Sequence, residues 1–237
     1  MRYELYYWPT IQGRGEFVRL ALEDAGADYV DVARRGARGM AALKRLLESD
    51  KTRSFAPPFL KAGTQIIGQT ANILLYLGPR LGLAPKSESS RLWAHQLQLT
   101  ISDLVDEVHD VHHPIASSLY YHQQKPEAAR RAPHFTRDRL TKYLNYFESV
   151  LAANSRGSRY MLGRNPSYVD LSLFQVMAGL RYAFPRTMKK RAADYPALTA
   201  LAERVSVRPN IASYLDSSRR VPFNEHGIFR HYPELDR

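Results

Sequence analysis

The hydrophobic pattern of this chain changes period once, near residue 85, and that change limits the folds open to it. Up to residue 84, short strand-like runs alternate with helix-like runs, the pattern of an α/β unit. Tyr3-Glu4-Leu5-Tyr6-Tyr7-Trp8 is a strand candidate closed by Pro9. From Gly15 to Ala25, Phe17, Leu20, Ala21 and Leu22 share a helical face, and Gly26 ends the run. Asp28 to Val32 reads as a second strand and Met40 to Leu47 as a short helix. Phe59-Leu60-Lys61 and Gln65-Ile66-Ile67, joined across Ala62-Gly63, predict a hairpin, and a helix over 70–81 completes the order βαβαββα.

Pro85-Lys86-Ser87-Glu88-Ser89-Ser90 is polar and proline-led, a natural linker. Everything beyond it reads helical. Trp93, Leu97, Ile101, Leu104, Val105, Val108 and Val111 form one apolar stripe, and Leu140, Tyr143, Leu144, Phe147, Val150 and Leu151 another. The segment around Leu171, Leu173, Phe174, Val176, Met177 and Leu180 is apolar nearly all round, as a central helix would be. Two short helices follow, near Tyr195 to Val205 and Pro209 to Leu215. The expected organisation is an α/β domain over residues 1–84, a linker over 85–90 and an all-α domain over 91–237.

Composition narrows function more than fold. The chain contains no cysteine, so any thiol chemistry needs a thiol brought by a ligand. Its longest apolar runs fall far below the roughly 20 residues that span a bilayer, and no membrane association is expected. Met1-Arg2-Tyr3-Glu4 reads straight into a strand rather than a secretory signal, which predicts a cytoplasmic protein. Thirty-four Lys and Arg against 23 Asp and Glu give a formal charge of +11. The basic residues are scattered from Arg2 to Arg237 without an interleaved aromatic stripe, so the charge reads as surface, with no specific nucleic-acid partner.

Three local features of the α/β half could serve one purpose. Tyr7 ends the first strand ahead of Trp8-Pro9 and a loop that reaches Gly13-Arg14, where a helix begins and negative charge is favoured. Ala56-Pro57-Pro58-Phe59 enters the hairpin; a cis bond before Pro57 would leave the Ala56 backbone open to an extended peptide. Gln69-Thr70 opens the next helix, with Thr70 as an N-cap beside N–H groups suited to a carboxylate. In order and spacing these features resemble the thioredoxin-like domain of the cytosolic glutathione transferases. Ser167-Tyr168-Val169-Asp170, after Gly163, resembles that family's capping box, in which Ser167 and Asp170 bond reciprocally. The likeness runs from about residue 3 to residue 216 and is strongest for the tyrosine-dependent classes similar to Pi and Sigma, of a bacterial type.

The resemblance implies a thioredoxin-like domain followed by an all-helical one, and an enzyme joining the glutathione thiolate to hydrophobic electrophiles, as in detoxification. Tyr7 would donate its hydroxyl to the glutathione sulfur. Trp8, Arg14, Lys44, Ala56, Pro57, Gln69 and Thr70 would hold the tripeptide, with Arg45 an equal alternative to Lys44 for its glycyl carboxylate. Asp103 would reach the γ-glutamyl amine in a neighbouring subunit, which implies a homodimer. His109, His113, Tyr120 and Phe223, with Phe229, are the candidate contacts of the electrophile. One more residue separates Tyr7 from Gly13 than in the closest family pattern, so Tyr6 stays a second candidate for the phenol. Strand alternation puts Tyr6 and Tyr7 on opposite faces, so only one can serve.

Two other readings compete. His109-Asp110-Val111-His112-His113 imitates a zinc-hydrolase motif, but no third ligand is visible and Pro114 stops the helix, so no metal is expected. A fold of this kind can also bind or assemble without turnover, or use the same thiolate for isomerisation or peroxide reduction.

Overall fold

The structure is a computed structural model that describes residues 1–49, 54–155, 157 and 159–237. It divides into two compact units. The first comprises Met1–His95 together with Ser206–Pro222, and the second Gln96–Val205 with Phe223–Arg237.

The first unit carries the thioredoxin-like arrangement the sequence implied. Its elements are β1 (Tyr3–Tyr6), α1 (Gly15–Asp24), β2 (Tyr29–Asp31), α2 (Gly36–Leu47), β3 (Phe59–Ala62), β4 (Gln65–Gly68) and α3 (Thr70–Arg80). The strands form one mixed sheet in the order β2-β1-β3-β4. β1 runs parallel to β2, with Leu5 opposite Asp31, and antiparallel to β3, with Tyr6 opposite Phe59. β1 and β2 are shorter than expected, and Val32–Arg34 is a 3₁₀ turn instead of strand. Alternation along β1 sorts the core. Tyr3 and Leu5 pack with Val18 and Leu22 of α1 and Ile73 and Leu77 of α3, whereas Tyr6 packs with Leu43 and Phe59 in the cluster that includes α2.

α1 is buried on every side, its charged residues included. A single apolar face predicts a solvated opposite face, but the late segment 206–222 covers it. Its helix α10 (Pro209–Leu215) packs on α1 and is flanked by arginines. Arg208 pairs with Asp24 at 2.5 and 2.9 Å, Arg219 with Glu23 at 3.2 Å and Arg220 with Glu16 at 2.7 Å. The Tyr214 hydroxyl donates to Glu16 at 2.8 Å. Buried carboxylates need such partners, because an unpaired charge removed from water is costly.

The second unit is helical. Helix α4 (Glu88–His112) enters it from the first unit, and α5 (Lys125–His134), α6 (Leu140–Ala152), α7 (Tyr168–Ala183), α8 (Pro185–Lys190) and α9 (Pro196–Ser206) follow. α5 runs into α6 through a π turn over Phe135–Arg139. α7 is the buried central helix, and the expected capping box opens it. Asp170 accepts the Ser167 N–H and hydroxyl, each at 2.7 Å, and the Met161 N–H at 2.8 Å. Among the described residues no helix is long and apolar enough to cross a membrane.

Candidate functional site

Tyr7 follows the last residue of β1 and lays its ring against the first turn of α1. Two glycines make room for it. A Cβ on Gly13 would lie 2.1 Å from the Tyr7 hydroxyl, and one on Gly15 would lie 2.5 Å from the ring. Gly13 also has φ +46, a conformation that side-chain-bearing residues avoid. Thus enclosed, Tyr7 is 4% exposed, and its hydroxyl oxygen accepts the Arg14 N–H at 2.9 Å. Accepting at oxygen leaves the O–H proton to be donated to another acceptor. Burial raises the phenol above its ordinary pKa, with the Arg14 N–H pulling the other way, so it is protonated at neutral pH.

The backbone of Arg14 also reaches α3, since its carbonyl accepts the Thr70 hydroxyl across a long 3.4 Å. Tyr7, Arg14 and Thr70, widely spaced in sequence, are therefore linked through one residue's backbone. Thr70 is buried, and it is the first helical residue of α3 instead of the expected cap. Gln69 holds the cap position, exposed, at φ +65 and ψ 123, a conformation uncommon outside glycine.

Ala56 and Pro57 need a correction. The cis bond joins Pro57 to Pro58, one residue later than expected. The residue before the cis proline is thus Pro57, which has no N–H, so only its carbonyl could pair with an extended peptide. Ala56 is exposed. Trp8 is 38% exposed, and Lys44 and Arg45 are both exposed in the last turn of α2.

Tyr6 has different surroundings. Its hydroxyl donates to Glu4 at 2.6 Å, and Lys61 holds the same carboxylate at 2.9 Å. With Arg45, Leu46, Ser49, Thr64 and Ile66 it lines a cavity of about 670 Å³ on the α2 side of the sheet. Burial and the Glu4 carboxylate push its pKa well up.

Sequence reasoning missed Arg19. Its side chain is fully buried, donates to Asp31 at 2.7 Å and Glu16 at 3.2 Å, and reaches the Gln12 carbonyl at 3.3 Å. The guanidinium also lies 5.7 Å from the centre of the Tyr7 ring. Arg19 thereby ties the 11–14 loop to the sheet beneath Tyr7. The signal was a lone arginine inside Phe17-Val18-Arg19-Leu20-Ala21-Leu22, where a solvated charge has no place.

In the second unit Asp103 is exposed on α4. The electrophile candidates fall into three groups. His109 and His113 stack with ring centres 4.8 Å apart, and His112, not singled out as a ligand from sequence, joins them. Tyr120 is 73% exposed and stacks on His122. Phe223 stacks on Tyr182 at 5.0 Å and meets Phe229 edge-on, while Phe229 lies against Gly179.

Fold and site together define a two-unit protein whose sheet-bearing unit holds a buried, protonated phenol at a helix start. Known proteins supply the relationship. Residues 109–218 match the family model described as glutathione S-transferase, C-terminal domain. The chain is 26% identical over 221 residues to the glutathione S-transferase of Plasmodium falciparum, covering 91% of this chain and 95% of the relative. It is also 26% identical over 228 residues to glutathione S-transferase P 1 of Xenopus laevis, covering 92% and 93%. The solved Pi-class glutathione S-transferase of Onchocerca volvulus shares its fold, with a TM-score of 0.73, 23% identity and coverage of 96% and 99%. The chain is therefore related to the glutathione S-transferases, and its relatives are Pi-class-like. These relatives are eukaryotic, so the expected bacterial type is not supported.

Proposed function

We propose that this protein is a glutathione transferase in which Tyr7 activates the glutathione thiol for attack on a hydrophobic electrophile. The observation that carries the proposal is the link from the Tyr7 hydroxyl through Arg14 to Thr70, the start of α3. A buried donor and a helix N-terminus in one unit suit a ligand with a thiol at one point and a carboxylate at another.

The chemistry follows from the thiol. A free thiol has a pKa near 8.5, and only its thiolate is a strong nucleophile. Lowering that pKa by about 2 units requires roughly 2.7 kcal/mol of preferential stabilisation of the anion. One phenol hydrogen bond to a charged acceptor supplies about 1.5 to 3 kcal/mol. Tyr7 acts as a donor, since burial keeps it protonated. The thiol proton passes to solvent, the sulfur forms a bond to the electrophilic carbon, and the electrophile's leaving group departs or its π electrons shift.

In this reading Gln69 and Thr70 hold the γ-glutamyl carboxylate, Trp8 and Arg14 flank the tripeptide, and Pro57, before the cis bond, presents its carbonyl to the cysteinyl part. Lys44 or Arg45 meets the glycyl carboxylate. Asp103 reaches the site of a second copy in a homodimer, and His109, His113, Tyr120 and Phe223 are the electrophile contacts.

The test compares Tyr7→Phe with Tyr6→Phe on immobilised glutathione and with a model aryl halide. Tyr7→Phe should lower conjugation ten-fold or more while nearly preserving glutathione binding, and Tyr6→Phe should change neither much. The reverse pattern transfers the role to Tyr6. An unmodified protein that neither binds glutathione nor turns over is a noncatalytic binding or assembly protein.

A further inference from the structure

Three imidazoles of the second unit meet at the C-terminal end of α4. His109, His112 and His113 stand at i, i+3 and i+4, which places them on one helical face. The turn persists through His113, whose N–H bonds the His109 carbonyl at 3.2 Å. One ring nitrogen from each lies within 4.8 Å of the other two. The third ligand missing from the two-histidine reading is His112, which the helical turn sets on the same face.

His112 is held in a way that fixes its proton. Its Nε2 lies 2.7 Å from the Ile228 carbonyl oxygen, which can only accept. Nε2 therefore carries the hydrogen and Nδ1 the lone pair. A ring N–H given to a backbone carbonyl, with the other nitrogen turned toward its neighbours, is how metal-ligating histidines are oriented. That lone pair meets His113 Nδ1 at 2.6 Å, so the proton between the two rings belongs to His113. Burial, helped by the Arg230 charge, pushes His112 down to about 2 and His113 to about 4.

We propose that His109, His112 and His113 bind a divalent cation of the zinc class, which takes the place of the proton shared by His112 and His113 and gains His109 as third ligand. Three neutral nitrogens without a carboxylate suit zinc, nickel or copper and not magnesium or calcium. Zinc–nitrogen bonds of about 2.0 to 2.1 Å let two ligand atoms stand at most about 4.2 Å apart, and about 3.4 Å in a tetrahedron. The widest separation must then close by at least about 0.6 Å and the 2.6 Å pair must open by roughly 0.8 Å, movements within reach of ring rotation. His113 moves its proton from Nδ1 to Nε2, so no net proton is lost there. Asp110, with Oδ1 3.8 Å from His109 Nδ1, favours a cation, and Arg230 opposes one. The inference does not rest on the glutathione reading, but it claims His109 and His113, which that reading gives to the electrophile.

The experiment uses the full chain without a polyhistidine tag. Zinc is titrated in competition with a chromogenic chelator, and cobalt(II) is titrated separately for its visible absorption. One zinc per chain should bind more tightly than about 100 μM. His109→Ala and His113→Gln should each weaken binding ten-fold or more, while His122→Ala and His226→Ala should not. Circular dichroism checks each fold; His109 is the least buried of the three, so its variant decides if His113→Gln unfolds. No binding at that concentration, or equal affinity in His109→Ala and the unmodified chain, overturns the proposal.

Discussion

Gly15→Ala should disable Tyr7 without touching it. The added Cβ would sit 2.5 Å from the Tyr7 ring, 0.9 Å inside the 3.4 Å at which ordinary contact begins. Overpacking of this kind costs about 1 to 3 kcal/mol. Replacing a helical glycine gains about 0.5 to 1 kcal/mol, so the net loss is near 1 to 2 kcal/mol. In a domain of this size that lowers the melting temperature by about 2 to 4 °C per kcal/mol. A double-mutant cycle isolates the cause. With Tyr7→Ala in the background the ring is gone, and Gly15→Ala should cost less than in the unmodified chain. The Cβ of residue 7, at 2.9 Å, survives the truncation and holds the coupling nearer about 1 than 3 kcal/mol. Urea unfolding of the four proteins measures it. Turnover supplies a second readout, since a ring displaced by most of an ångström cannot keep its hydroxyl in place, and Gly15→Ala should lose activity on the scale of Tyr7→Phe. A Gly15→Ala protein as stable and active as the unmodified chain would refute the account of Tyr7 as a ring enclosed by glycines.

Asp170→Asn should destabilise the protein by about 2 to 3 kcal/mol in urea unfolding, because an amide N–H₂ would replace a carboxylate oxygen that two Ser167 donors need. The Asp170 carboxyl is raised by burial from 3.8 to about 6, so the folded chain keeps a proton that the unfolded chain has released between those values. Its contribution to stability therefore falls as pH rises across that window, and the Asn variant should lack this component of the slope. Arg19→Met should cost about 3 to 5 kcal/mol, since Asp31 and Glu16 lose their buried partner; a calorimetric loss below about 1 kcal/mol would remove Arg19 from its supporting role.

The periodicities of residues 1–84 were enough to predict the order of strands and helices around the sheet, because elements that bury one face announce it every second or every third to fourth residue, but they gave no sign that residues 206–222 join the same unit. Element ends were less visible. The N-cap at Gln69 adopts a positive φ that nothing in its side chain advertises, so Thr70 looked like the cap. The cis bond fell on Pro58 because two adjacent prolines offer two X-Pro bonds and composition does not choose between them. Arg208, Arg219 and Arg220 read as scattered surface charge, since their carboxylate partners lie roughly 180 to 200 residues earlier. His112 escaped notice as a ligand because the Ile228 carbonyl that orients it belongs to the tail.

Because residues 206–222 belong to the sheet unit, its sequence is discontinuous, and the ribosome delivers it in two instalments. From residue 95 to residue 222 another 127 residues must be made, roughly 6 to 25 s at about 5 to 20 residues per second. Through that interval Asp24 lacks Arg208, and Glu16 lacks Tyr214 and Arg220. Until then the carboxylates of α1 stand without the partners that pair them in the folded unit. A fragment ending in the linker would lack Arg208, Tyr214 and Arg220, the partners of the α1 carboxylates.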